Sequence, residues 1–185
     1  MPQLKLEQNH FDEDLPKEIY KNIRNLLYNA VEKRLMSDRT IGCLLSGGVD
    51  SSIIAALLAK YSAEQNKKIK TFSIGFAEST DIKYARVVAK HIGSEHHEVM
   101  LDYNTAIRRI PDVIRDSETY DITTIRASVG MYLLSEYISK NFEEIVILSG
   151  EGSDELFAGY LYFHYAPTPE ALDNECKERV LQLPY

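Results

Sequence analysis

The segment that decides the fold is IGCLLSGGVDSSIIAALLAKY, residues 41–61. Residues 41–45 are an apolar run of strand length. The run shows no polar alternation, which is typical of a parallel strand buried on both faces. Residues 46–50 form a glycine-rich turn, and residues 51–61 have the apolar face of a helix. The segment therefore predicts a buried strand, a tight turn and a helix in immediate succession.

The alternation of strands and helices extends to both sides of this segment. Further strands are predicted at residues 69–76, 95–101 and 145–148, and helices at residues 16–35, 81–92, 102–115, 124–140 and 169–183. Asp81 is predicted to cap its helix, Gly93 to end it, and Pro111 to bend or break the next one. This order predicts an α/β fold, a parallel sheet with helices on both faces. Such sheets bind ligands at the carboxyl ends of their strands.

Composition excludes several classes of function. The chain has 185 residues, a net charge of -7 and two cysteines. The negative charge argues against nucleic acid as a partner, because phosphate-backbone binding needs clustered Lys and Arg. We find no apolar run long enough for a membrane span and no signal peptide in the polar stretch 1–14, which we expect to be a loose lead-in. With so few cysteines, a cytoplasmic location is expected.

The turn after the first strand has the features of a phosphate cradle. Gly47 and Gly48 allow a tight turn and close approach to the backbone N–H groups, and Ser46 and Ser51 add hydroxyls. The following helix adds free N–H donors and the positive end of its dipole. Asp50 would repel phosphate unless a cation lies between them, and Mg²⁺ suits carboxylate plus phosphate oxygens. The alternative is a glycine-rich turn in which Asp50 only caps the helix.

A second polar turn, SGEGSDE at residues 149–155, follows the strand predicted at 145–148. It should lie at the same edge of the sheet as the first turn. Its three carboxylates can hold a metal or move protons, and its glycines permit close backbone approach. The alternative for this turn is an acidic, solvated loop.

Together the two turns resemble the synthetase domain of the asparagine synthetase family, within the PP-loop ATP pyrophosphatases. The resemblance rests on LLSGGVDSS, TFSIGF, HHEV, ETYDITTIRAS and LSGEGSDELFAGYLYFHYAP, at residues 44–52, 71–76, 96–99, 118–128 and 148–167. NAD and GMP synthetases share the first turn but not the last two stretches. β-Lactam synthetase is the nearest family with which this one could be confused. The resemblance implies a PP-loop fold, ATP and Mg²⁺.

The resemblance also implies roles for individual residues. ATP would be held by Leu44, Ser46, Ile74, Ser149 and Gly150, and pyrophosphate with Mg²⁺ by Gly47, Gly48, Asp50 and Ser51. Glu151 would act in forming β-aspartyl-AMP from aspartate, supported by Thr123 and Arg126, and Asp81 would lie near the nucleotide. Ammonia would then displace AMP and leave asparagine.

The chain departs from the family pattern at both ends. Residue 2 is Pro where the family's glutaminase domain begins with Cys, so we do not expect that domain in this chain. We therefore expect ammonia from solution, or from a glutaminase domain or chain in trans. Residues 15–185 are expected to form the ATP-binding domain, incomplete at its C-terminus. Two alternatives stay open: a non-catalytic nucleotide-binding remnant, and a PP-loop enzyme that adenylates another substrate.

Overall fold

The computed structural model describes residues 17–144 and 146–183. This part of the chain separates into two compact units, one ending at Met36 and the other beginning at Ser37. In the first unit lies helix α1, Lys17–Lys33, which confirms the helix predicted at residues 16–35. The predicted lead-in, residues 1–14, and the helix start at Pro16 lie outside the described residues. The predicted domain extent, 15–185, stays a prediction.

The second unit confirms the predicted alternation of strands and helices. In chain order its elements are β1 Ile41–Leu44, α2 Val49–Glu64, β2 Lys70–Gly75, α3 Thr80–Ile92, β3 Glu95–Met100, α4 Tyr103–Ser117, α5 Ile122–Asn141, β4 Val146–Leu148, α6 Ser153–Phe157, a 3-10 helix Leu161–Tyr165, and α7 Pro169–Gln182. The described strands form one four-stranded sheet in the order β3-β2-β1-β4, and all three pairings are parallel.

Helices cover both faces of the sheet, as the apolar strands predicted. Phe72 of β2 is completely buried and packs with Leu134 and Ile138 of α5. Because side chains alternate along a strand, the neighbouring Thr71 and Ser73 point to the opposite face, and both are buried there. Helix α3 packs against β2 and β3 and turns its buried residues Ile82, Ala85 and Ala89 inward. A sheet buried on both sides explains why β1 and β2 contain so few charges.

The two adjacent histidines of β3 confirm this alternation. His96 faces Thr71 and Ser73, with Nδ1 2.9 Å from Thr71 Oγ1 and Nε2 3.3 Å from Ser73 Oγ. His97 lies on the other face, stacked on Phe72 with ring centroids 5.6 Å apart. The two imidazoles therefore belong to different layers and do not form a common metal site.

The strand order creates a topological switch point beside β1. From β1 the chain proceeds to β2 and β3 on one side, then returns to β4 on the other side of β1. The turns that follow β1 and β4 therefore begin side by side at the carboxyl edge of the sheet. Open α/β sheets bind their ligands at switch points of this kind.

Three local predictions need correction. Helix α2 begins at Val49 rather than at residue 51, so its first turn lies inside the glycine-rich turn. Ser79, not Asp81, caps α3, because its side chain accepts a hydrogen bond from Ile82 N–H at 3.4 Å. Helix α4 is continuous through Pro111, held by the Asp102 cap before the proline and by the fully buried Val113 after it.

Two short elements were not predicted, α6 and the 3-10 helix. Both follow the second turn and lie within residues 153–165. They are too short for a periodic apolar pattern to show in the sequence. In the described part of the chain, no helix combines the length and the apolar character that crossing a membrane requires.

The polar network around His96 predicts a loss of stability in acid. Burial is the main cause that lowers the pKa of His96 from its ordinary 6.5, opposed by the nearby Glu98 carboxylate. Below pH 6.5 the unfolded chain therefore binds more protons than the folded chain, and the free energy of unfolding falls until the lowered pKa is reached. Urea unfolding between pH 7.5 and 5 should show a steeper loss in the parent than in His96→Gln.

His164→Gln is the matched control, because His164 is exposed on the 3-10 helix. Its loss of stability with pH should equal that of the parent. If His96→Gln also follows the parent, the buried imidazole is not the source of the acid sensitivity.

Candidate functional site

The two polar turns meet in one surface depression at the switch point. The depression has a volume of about 210 Å³ and takes residues from the ends of β1 and β4 and from α5. Its lining comprises Leu44, Ser46, Gly48, Asp50, Ser51, Met131, Ser149, Gly150, Glu151, Gly152, Asp154, Glu155 and Tyr160. Sequence reasoning selected eight of these residues, and the structure brings all eight together.

The first turn is held in shape by its own serines. Ser51 Oγ accepts a hydrogen bond from Ser46 N–H at 3.2 Å, lies 3.0 Å from Ser46 Oγ and donates to the Gly48 carbonyl at 3.3 Å. The N–H groups of Val49, Asp50 and Ser51 form the first turn of α2 and therefore have no acceptor within the helix. The turn thus presents free donors and the positive end of a 16-residue helix to the depression. This arrangement suits an anion such as pyrophosphate.

The second turn lies directly against the first turn of α2. A Cβ atom built on Gly150 would come within 2.8 Å of Ser51 N and 2.9 Å of the Asp50 carbonyl carbon. Only a residue without a side chain lets the two backbones approach so closely. Gly150 therefore sets the separation of the two turns.

The two glycines of the first turn have different roles. Gly47 has φ +84°, and a Cβ there would lie 2.5 Å from Ala85 N in α3. Gly47 therefore packs against α3, which fills the space of its missing side chain, while its predicted contact with pyrophosphate stays a prediction. Gly48 lines the depression, and the sole atom outside its immediate neighbours near an added Cβ is Ser46 Oγ at 3.4 Å. Close approach of a ligand to the backbone is possible at Gly48.

Four carboxylates surround the depression, and one of them is fixed by a tyrosine. Asp50 comes from α2, and Glu151, Asp154 and Glu155 come from the second turn and α6. The Tyr160 hydroxyl donates to Glu155 Oε1 at 2.5 Å, and this hydrogen bond raises the pKa of Tyr160 to about 12. So much negative charge is compatible with a bound polyphosphate only when cations lie between them.

The donor set fits a magnesium ion that is shared with phosphate. In the described ranges 17–144 and 146–183, no group of three or more His, Cys, Asp or Glu side chains is arranged to hold a metal ion by itself. Mg²⁺ in nucleotide sites takes one or two carboxylates and completes its shell with phosphate oxygens and water. Asp50 lines the depression at the start of α2 and is a carboxylate that could hold such an ion.

The other predicted residues lie outside the depression. Ile74 packs on the apolar cluster around Phe72, and Asp81 is exposed in the first turn of α3. Thr123 and Arg126 are exposed on the first turns of α5. Arg126 also lines a separate apolar groove of about 640 Å³ between α4 and α5.

Sequence reasoning did not single out Met131, Gly152, Asp154, Glu155 or Tyr160 individually. Asp154 and Glu155 belong to the three carboxylates of the second turn, which were predicted as a group to hold a metal or move protons. Met131 has no local signal, because only the packing of α5 brings it to Leu44 and Ser149.

Cys43 is a core residue, as its strand position indicates. It is fully buried, and burial raises its thiol pKa to about 12.

Comparison with known families gives a match over most of the chain. The Asparagine synthase family model matches residues 22–180. The chain is 56% identical to bovine asparagine synthetase [glutamine-hydrolyzing] over 166 residues and 55% identical to the human enzyme over the same length. Each alignment covers 89% of this chain but only 29% of the relative.

Solved structures with a similar fold come from NAD synthetases. The NAD⁺ synthetase of Burkholderia pseudomallei superposes with a TM-score of 0.51 and 12% identity, covering 89% of this chain and 71% of that one. The NH3-dependent NAD synthetase of Campylobacter jejuni gives a TM-score of 0.50 and 18% identity, covering 76% and 60%. These likenesses confirm the predicted PP-loop α/β fold.

Three glycine substitutions test this geometry through stability. We expect Gly150→Ala to lower the free energy of unfolding by about 1–3 kcal/mol, because its methyl group would overlap the backbone of α2. Gly47→Ala should lower it by at least about 1–2 kcal/mol, the cost of a left-handed conformation for a residue with a side chain. Gly48→Ala, at φ -70°, is the control: it loses only the N-cap preference for glycine over alanine and should cost less than about 1 kcal/mol.

Urea denaturation of the three variants gives these values. Equal effects at positions 48 and 150 would contradict the close contact between the two turns.

Proposed function

This chain belongs to the asparagine synthase family, and on that premise we propose that it forms asparagine from aspartate, ammonia and ATP, releasing AMP and pyrophosphate. The chain spans about 29% of the length of the curated relatives it matches. The single observation that carries the proposal is the depression in which a phosphate cradle and a cluster of carboxylates share one wall.

ATP would bind with its phosphates against the first turn. The free N–H groups at the start of α2 and the Ser46 hydroxyl would hold the pyrophosphate portion, and Asp50 would hold Mg²⁺ against it. When bound, Mg²⁺ supplies charge neutralisation between Asp50 and the phosphates. Leu44 and Met131 supply apolar lining for the nucleoside, and Ser149 and Gly150 of the second turn line the same depression.

The first chemical step would form a mixed anhydride. An oxygen of the aspartate side-chain carboxylate attacks the α-phosphorus of ATP, the bond from that phosphorus to the β-phosphate bridging oxygen breaks, and pyrophosphate leaves. The product is β-aspartyl-AMP. The cradle of N–H donors favours this step because it stabilises the charge that accumulates on the leaving pyrophosphate.

The second step would transfer the acyl group to nitrogen. Ammonia attacks the β-carbonyl carbon, the bond to the AMP oxygen breaks, and the nitrogen loses a proton. Glu151 lies on the wall of the depression next to Gly150 and is exposed, so its carboxylate can reach the reacting carboxyl group. We assign it to forming the anhydride and handling the proton.

Arg126 and Thr123 are assigned to the carboxylate substrate or its intermediate. Arginine suits this role because its planar guanidinium binds a carboxylate or phosphate with two parallel hydrogen bonds. Within residues 17–144 and 146–183, Arg126 has no ion-pair partner that would compete for such a ligand. Asp81 is proposed to lie near the nucleotide and Ile74 to contact ATP, on the strength of the family resemblance alone.

The nitrogen source and the location are part of the proposal. Glutamine hydrolysis is named for the curated relatives, and we propose ammonia from solution, or from a glutaminase domain or chain in trans, as the donor for this chain. A cytoplasmic location agrees with the reduced cysteines, Cys43 and Cys176.

The reaction itself provides the test. The chain is incubated with ATP, Mg²⁺, aspartate and ammonium, and AMP and asparagine are measured. Equal amounts of both support the proposal. Binding of ATP without turnover supports a non-catalytic remnant, and AMP formation only with another acceptor acid supports an adenylating enzyme for that acid.

Substitution of Asp50 tests the magnesium assignment. We expect Asp50→Asn to weaken Mg²⁺-dependent ATP binding by roughly 10–100-fold, the usual cost of disturbing a metal site. Binding is measured by calorimetry at several Mg²⁺ concentrations. Asp173→Asn on α7 removes an exposed carboxylate outside the depression and should leave the affinity unchanged. An Asp50 variant with parental Mg²⁺ dependence would place the metal elsewhere.

Substitution of Glu151 separates catalysis from binding. Glu151→Gln keeps the size and hydrogen bonding of the side chain but removes its charge and titratable proton. Aspartate-dependent exchange of labelled pyrophosphate into ATP should fall by roughly 10²–10⁴-fold, the range for loss of a general acid or base. ATP affinity should change little. An unchanged exchange rate would mean that Glu151 is only a solvated turn residue, and a parallel loss of ATP binding would make it a ligand.

A further inference from the structure

The phosphate-binding turn rests on the backbone of α3. Gly47 leaves no room for a side chain there: an added Cβ would lie 2.5 Å from Ala85 N and 2.7 Å from the Tyr84 carbonyl carbon. In close-packed contacts of this kind, displacement of one partner moves the other. The position of α3 therefore determines the position of Gly47 and of the N–H groups that follow it.

Few buried side chains of α3 hold it against the sheet near Ala85. Its buried face is formed by Ile82, Ala85 and Ala89, and alanines offer little interdigitation to prevent sliding. Arg86 follows Ala85 directly and binds Glu98 of β3 with two parallel hydrogen bonds, Nε to Oε1 and Nη2 to Oε2, each 2.7 Å. Two parallel hydrogen bonds fix the orientation of the Arg86 guanidinium relative to the Glu98 carboxylate as well as the distance between them.

The Glu98 carboxylate is itself held in place from the sheet. Its side chain is only 19% exposed, and His96 Nε2 lies 3.6 Å from Oε1. His96 in turn contacts Thr71 and Ser73 of β2. The groups that face Glu98 are thus Arg86 from α3 and His96 from its own strand. Glu98 therefore has a fixed position on the sheet, and Arg86 attaches α3 to Glu98.

We propose that the Arg86–Glu98 ion pair positions α3, and through α3 the phosphate-binding turn, so that this pair controls nucleotide affinity although neither side chain lines the depression. The affinity part of this statement rests on the proposed function. Arg86 and Glu98 are positioning residues in this account, acting through the contact between Ala85 and Gly47.

The first test follows the turn without any nucleotide. Arg86→Lys keeps the positive charge but cannot form the bidentate pair, and Glu98→Gln removes the negative charge. In both variants of the 185-residue chain, the amide ¹⁵N–¹H signals of Gly47 and Gly48 should shift and their hydrogen exchange should accelerate. The exchanged pair Arg86→Glu with Glu98→Arg should restore the parental signals in part, which general destabilisation would not do.

The second test measures Mg²⁺-ATP affinity by calorimetry. We expect both single variants to bind roughly 3- to 30-fold more weakly, the range of coupling that residues without ligand contact exert, and the exchanged pair to recover part of the loss. Lys177→Gln on α7 breaks an exposed ion pair outside the sheet and should match the parent in both tests.

The two tests separate this proposal from the proposed function. Unchanged Gly47 and Gly48 signals in folded Arg86→Lys and Glu98→Gln would overturn the positioning role. Shifted signals in a chain whose parent form does not bind Mg²⁺-ATP would support the positioning role and overturn the assignment of the turn to ATP. Shifted signals with parental affinity would overturn the control of affinity by the pair.

Discussion

The backbone contact between Gly150 and the first turn of α2 is the constraint on which the site depends. Parallel pairing of β1 with β4 directs two turns to the same edge of the sheet, but pairing alone would leave them a strand's width apart. The missing side chain at residue 150 lets the second turn close onto Asp50 and Ser51. A helix start rich in free N–H donors and a turn rich in carboxylates then share one depression of about 210 Å³. Neither turn by itself could combine phosphate binding with acid chemistry.

This proximity brings together charges that would otherwise repel. The N–H donors at the start of α2 favour anions, whereas Asp50, Glu151, Asp154 and Glu155 oppose them. We expect a polyphosphate to bind stably beside these carboxylates only when a divalent cation is present. The depression therefore favours a ligand that carries both phosphate groups and a cation. The Tyr160 hydroxyl, by binding Glu155, orients one of the acids and connects α6 to the residue that caps the 3-10 helix. The polarity of the depression is the basis for proposing Mg²⁺-ATP, rather than a free anion, as its ligand.

The sequence was most informative where a residue type admits one conformation or one environment. The unbroken apolar run of β1 predicted burial on both faces, and the pairing order and helices confirm it. The first residue of α2 was missed by two positions, because an Asp directly before an apolar run is typical of a helix N-cap and moves the predicted start to Ser51. The contact of Gly47 with α3 could not be predicted, because Ala85 is 38 residues away in sequence and reaches Gly47 only through the packing of α3. Met131 could not be found for the same reason: its place in the depression depends on how α5 crosses the sheet.

The central claim is that the two turns form one site for a magnesium-bound polyphosphate. It is tested most directly by titrating the ¹⁵N-labelled chain with Mg²⁺-pyrophosphate and following its amide signals by NMR. The account predicts that the N–H signals of Gly48, Asp50 and Ser51 move together with those of Gly150 and Glu151, all with one dissociation constant and only when Mg²⁺ is present. Movement of one turn without the other, or equal movement without Mg²⁺, would contradict it.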